Sequence, residues 1–72
     1  PDLKRAVELI EKAVKIGGES TELMDTRGQI LALSGDDLEA ISSFEKSVAL
    51  MPNRIRTRER LIELYKKVGL AQ

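Results

Sequence analysis

Shifted by 34 residues, the chain falls back onto itself. Six positions are identical at that offset: Asp2/Asp36, Ala6/Ala40, Glu11/Glu45, Lys12/Lys46, Val14/Val48 and Gly35/Gly69. Three further pairs are conservative, Val7/Ile41, Ile10/Phe44 and Ile16/Leu50. A fixed period of this length is the mark of chains built from one supersecondary unit stacked on its own copies. Each unit buries its apolar face only against its neighbours. The fold is thereby restricted to a few repeat architectures, and the spacing of apolar residues within the period chooses among them.

That spacing is helical in four segments. The first carries Leu3, Ala6, Val7, Ile10, Ala13 and Val14, with Asp2 as its N-cap and the Gly17-Gly18 pair as its stop. The second begins after Ser20, carries Leu23, Met24, Ile30 and Leu31, and ends at Gly35. Its internal Gly28 costs about 1 kcal/mol relative to Ala, which points to a close approach by a neighbouring helix. Asp36 to Glu39 reads as a capping box for a third helix with Leu38, Ile41, Phe44, Val48 and Leu50, broken at Pro52. Asn53 is the expected cap of a fourth, with Ile55, Leu61, Ile62, Leu64, Tyr65 and Val68 apolar and Gly69 its stop. No segment alternates with the period of two that a strand requires. The expectation is an all-α chain, one domain over 1–72, with helices at about 2–16, 21–34, 37–50 and 54–69.

The stretch GDDLEAISSFEKSVALMPN, Gly35 to Asn53, sets a register. If Thr21 opens a repeat, Gly28 takes its eighth place, Leu31 the eleventh, Ala40 the twentieth, Phe44 the twenty-fourth and Pro52 the thirty-second. This pattern resembles the tetratricopeptide repeat (TPR) family, whose paired helices share the 34-residue period. The resemblance implies antiparallel helix pairs stacked as a short right-handed α-solenoid. Residues 1–20 would be the second helix of a preceding repeat, 21–54 one complete repeat, and 55–72 the first helix of a further repeat or a terminal cap. Gly28, Leu31, Ala40, Phe44 and Pro52 would be packing positions, joined by Ala6 and Ile10 from the preceding unit. Three positions depart from the family pattern: Met24 stands where it prefers Trp, Arg27 where it often has Leu, and Ser47 where it prefers Ala.

Composition narrows the function. With no His and no Cys, the usual zinc, haem and iron–sulfur ligand sets and the His-dependent nucleophile pairs are excluded. Asp36-Asp37 reads as a helix cap and Glu8 with Glu11 as a solvated face, so no catalytic residue, cofactor or metal is expected and the chain reads as a non-enzyme. Twelve basic and twelve acidic side chains supply no basic excess for nucleic acid. Tyr65, expected to be buried, is the sole ring that could stack a base. No apolar run approaches the roughly 20 residues of a membrane span. Without a signal segment or Cys, the default expectation is cytoplasmic, and Pro1 in place of Met reads as a cut end.

What remains is binding. The family's first helices line a concave groove, and the resemblance maps that groove onto Glu22, Asp25, Gln29, Ala32 and Leu33, with Arg56, Glu59, Glu63, Lys66 and Lys67 from the last helix. Arg56 and Arg60 match two places of the carboxylate-clamp subset, although Thr26 stands where that subset has Asn. The expected partner is a protein or peptide. The alternative is an oligomerisation element of a longer helical-repeat protein that takes no peptide and self-associates through exposed apolar faces, with Leu3, Val7, Ile10 and Val14 partly uncovered. Charge is unevenly spread. Residues 19–45 hold seven acids against Arg27, whereas 54–67 carry a net charge of +4, a polarity that could steer head-to-tail association.

Overall fold

The computed structural model describes residues 2–69; Pro1 and residues 70–72, which the expected domain and its last segment include, lie outside the described residues. Four helices follow one another: α1 (Leu3–Gly17), α2 (Thr21–Leu33), α3 (Asp37–Leu50) and α4 (Ile55–Val68). Each boundary falls within a residue of the range read from the sequence. There is no strand among the described residues, and the fold is all-α.

The cap expected at Asp2 forms, and Ser20, after which the second helix is expected to begin, proves to be a cap as well. The carboxylate of Asp2 accepts from the backbone N–H of Arg5 at 3.1 Å, and the Ser20 hydroxyl accepts from that of Leu23 at 3.1 Å. The other two differ. Asp36 holds the N-cap place of α3, but its side chain makes no capping bond. Its backbone N–H instead closes the preceding helix, donating to the Leu31 carbonyl at 2.9 Å while Gly35 N–H donates to Ala32 at 3.1 Å. This paired closure requires a left-handed residue, and Gly35 supplies it with φ of +85°. Glu39, the other half of the expected box, turns instead toward Arg27, 3.9 Å away. Asn53 is not a cap either. Arg54 is the N-cap of α4, without a side-chain bond, because the turn in which Arg54 N–H reaches the Met51 carbonyl leaves Asn53 outside the helix.

The helices stack in order, α1 on α2, α2 on α3 and α3 on α4. The Cα trace spans 37 × 26 × 15 Å. The shortest of these is the thickness of two helix layers, about 10 Å between axes plus a Cα radius of about 2.3 Å on each side. The core lies among α2, α3 and α4, where Leu31, Ala40, Ile41, Phe44, Leu61 and Leu64 form one buried cluster. Val7 of α1 packs at its edge, and Ile10 is the one described α1 residue that is buried.

Gly28 answers its sequence reading directly. A Cβ built there would lie 2.6–2.8 Å from three ring atoms of Phe44, closer than carbon atoms approach. The ring of Phe44, 1% exposed, therefore seats against the bare backbone of α2. Around it the α2–α3 contact is unexpectedly polar. The Thr21 and Ser47 hydroxyls lie 2.8 Å apart and each also donates toward the other's carbonyl, at 3.1 and 2.9 Å. Arg27 donates from Nη1 to the Ser43 hydroxyl and from Nη2 to Glu11 of α1 at 3.1 Å. Its buried Nε has no partner among the described protein atoms, a cost that the two charge-assisted bonds offset.

Several expected packing residues lie elsewhere. Pro52 is exposed: it ends α3 without packing between helices. Ala6 is only half-buried. Leu38, Ile55 and Ile62, counted on apolar stripes, are 70%, 71% and 50% exposed, since no described helix covers their sides of α3 and α4.

The Gly28–Phe44 contact leads to a stability prediction. Gly28→Ala gains helix propensity but drives a methyl group into the ring, and overpacking of this kind costs about 1–3 kcal/mol. Urea denaturation should show Gly28→Ala and Phe44→Leu each destabilising. The double variant should lose less than the sum of the two, because the smaller side chain vacates the space the methyl needs. Additive losses would contradict the contact.

Candidate binding site

An open cleft of about 390 Å³ runs between α2 and α4. Gln29, Ala32 and Leu33 of α2 form one wall, and Arg60, Glu63 and Leu64 of α4 form the other. Phe44 closes the floor from α3. The walls follow from helix periodicity. Positions 29, 32 and 33, like 60, 63 and 64, are three or four residues apart and so share one face of their helix.

A buried carboxylate ties the walls together. Asp25, 5% exposed, accepts from the Thr57 hydroxyl at 2.8 Å and from the Gln29 amide at 2.8 Å. Arg60 Nη1 lies 3.4 Å from its Oδ2. Thr57 is itself fully buried. One side chain of α2 thus holds two residues of α4 and orients Gln29 beside them. The carboxylate is compensated by three donors, as burial of a charge requires.

The residues mapped to the groove and clamp places separate into groups. Gln29, Leu33, Arg60 and Glu63, with Ala32, line the cleft. Arg56 and Glu59 line a second depression of about 400 Å³, with Ile62 and again Arg60 and Glu63. Asp25 lies beneath the surface, bonded to Gln29 and Arg60 of the cleft. Glu22 and Lys67 stand at opposite ends of the helix pair, Glu22 3.8 Å from Arg54 and Lys67 3.3 Å from Asp37. These two pairs and Arg60–Asp25 join the basic α4 to the acidic stretch of the same chain, so the charge polarity is largely answered internally. Of the two arginines at clamp places, Arg60 already faces Asp25, which leaves Arg56 alone.

Sequence reasoning overlooked Thr57 and placed Asp25 on the groove surface, where the structure buries it against Thr57. A Thr amid arginines and an Asp at an apparent surface place give no separate signal, since their pairing spans 32 residues. Tyr65 also differs from expectation. It is half-buried, and its hydroxyl donates to the Glu45 carboxylate across the α3–α4 contact. That hydrogen bond, then burial and then the Glu45 charge, raises the phenol above its ordinary value of 10.0. No helix among the described residues is long and apolar enough to cross a membrane. The chain matches no protein-family model, no curated protein and no solved structure.

Two measurements check this geometry. Asp25→Ala orphans the buried Thr57 hydroxyl and should lower stability in urea by about 2–3 kcal/mol, with Asp25→Asn, which keeps an acceptor, costing less. A loss no larger than that of a surface carboxylate would refute the buried node. The chain has one Tyr, so absorbance titration reads Tyr65 alone. Its midpoint should lie above 10.0, and Glu45→Gln should bring it down. Because folding favours the protonated phenol, this contribution to stability is present below pH 10.0 and lost as pH rises through the raised value.

Proposed function

We propose that the chain is a protein-interaction module of TPR type, which holds an extended peptide or one face of a partner helix in the α2–α4 cleft. The carrying observation is the convergence on one open cleft with an aromatic floor of Gln29, Ala32, Leu33 and Glu63, which the TPR resemblance maps to a groove, and of Arg60, which it maps to a clamp place. The 34-residue self-similarity and the sequential stacking of helices support the TPR reading. The chemistry of the walls describes the ligand. Leu33, 75% exposed, together with Ala32, Leu64 and the Phe44 ring, suits an aliphatic or aromatic anchor, the kind of group that dominates recognition in apolar pockets. Glu63 on the rim suits a basic residue beside that anchor.

Such a site binds by shape and burial, and nothing in the reading calls for bond-making chemistry. Panning a random peptide display library against the folded chain tests it. Enriched peptides should share an apolar anchor with a neighbouring Lys or Arg. Leu33→Asp should lower their binding at least tenfold, and Glu63→Lys should weaken the basic ones selectively. Glu22→Lys, outside the cleft, should leave them unchanged. Selected peptides that bind Leu33→Asp as well as the original chain would overturn the assignment.

A further inference from the structure

The exposed apolar residues of the two terminal helices stand in a relation that the 34-residue offset makes visible. Leu9 of α1 and Ile62 and Ile55 of α4 are 56%, 50% and 71% exposed. Their counterparts 34 residues away are Ser43, Gly28 and Thr21, and all three are buried where α2 meets α3. The solvent faces of α1 and α4 are therefore the two halves of a contact that the chain already makes once, between α3 and α2.

We propose that a second copy of this chain lays its α1 on the open face of α4, in the place that α3 takes on α2. The occupant follows from the repeat. α1 is the sequence counterpart of α3, sharing Asp2/Asp36, Ala6/Ala40, Glu11/Glu45, Lys12/Lys46 and Val14/Val48. The described chain thus carries its own cover for α4. The surfaces already engaged stay engaged, because α1 packs on α2 and α3 on α4 in the same manner of succession. A following copy continues the order α3, α4, α1, α2 without rearrangement.

The translated contact is chemically consistent. The hydroxyl pair Thr21–Ser47 becomes Ile55 against Ala13, both apolar. The tight pair Gly28–Phe44, one bare backbone and one large ring, becomes Ile62 against Ile10, two side chains of middle size. Exchanging a small–large pair for a medium pair keeps the filled volume nearly constant, the kind of change packed interfaces tolerate best. One charged side chain enters, Arg58 at the place of the buried Met24, and its guanidinium is already drawn aside to the Pro52 carbonyl at 3.1 Å. The contact is heterologous, with different surfaces on the two copies, so each addition leaves one α1 face and one α4 face open at the ends and the assembly grows past a dimer. The proposal uses none of the residues on which the peptide cleft depends, and either can fail without the other.

Light scattering after size exclusion, with the 72-residue chain, tests it. The unmodified chain, 8.0 kDa, should increase in mass with concentration and pass twice the monomer mass. Leu9→Glu and Ile62→Glu should each remain monomeric alone. Their equimolar mixture should give a species of twice the monomer mass and nothing larger, since the first variant retains a sound α4 face and the second a sound α1 face. Ala13→Glu and Ile55→Glu, the two sides of the translated Thr21–Ser47 pair, serve instead if circular dichroism shows lost helicity in the first. A mixture that stays monomeric, or a single variant that still assembles, overturns the proposal. So does an unmodified chain that is monomeric at millimolar concentration, which would leave the open faces to a partner of another kind.

Discussion

The seating of Phe44 against the bare backbone at Gly28 is the contact from which the rest of this small structure takes its dimensions. It sets how closely α3 approaches α2, and the buried cluster of Leu31, Ala40, Ile41, Leu61 and Leu64 is arranged around the same ring. The ring also forms the floor of the α2–α4 cleft. One aromatic side chain therefore joins core and candidate site. A domain of this length has little apolar area to spare, and making a core residue double as a binding floor is one consequence.

Above that floor the spacing of the walls is set by a polar node. Asp25 accepts from Thr57, Gln29 and Arg60, and it does so from a position nearly out of solvent. Its contribution to binding is indirect: it positions two residues of the cleft and pins the helix that carries the opposite wall. The same economy appears between α2 and α3, where hydroxyls and Arg27 supply contacts that an apolar repeat would make with Leu and Ala. Directional bonds of this kind are costly to leave half-made, so they favour one register of the helices over its neighbours.

Both outer helices bury one face and leave the other bare. α1 buries Ile10 and exposes Leu9 and Ile16; α4 buries Leu61 and Leu64 and exposes Ile55 and Ile62. In a stacked fold every interior helix lies between two neighbours and each end helix has only one. The bare faces are thus a property of the architecture before they are a property of any one residue.

The helices, their order and their limits could be read from the residues, because apolar spacing, Gly35 and Pro52 act locally through backbone geometry. The resemblance to the TPR pattern also implied packing roles for Gly28 and Phe44, and the groove it implies holds most of the cleft lining. Caps were less legible: Asp36 and Asn53 have the right chemistry, but the closure of α2 and the turn after α3 use the backbone differently. Only the tertiary structure decided that Asp25 is a buried node, that Pro52 stays exposed, that Tyr65 is bonded to Glu45, and that Arg54, Arg60 and Lys67 are paired within the chain. Local conformation follows from neighbours in sequence. Burial and pairing depend on which groups the fold brings within a few ångströms, and no spacing along the chain specifies that distance.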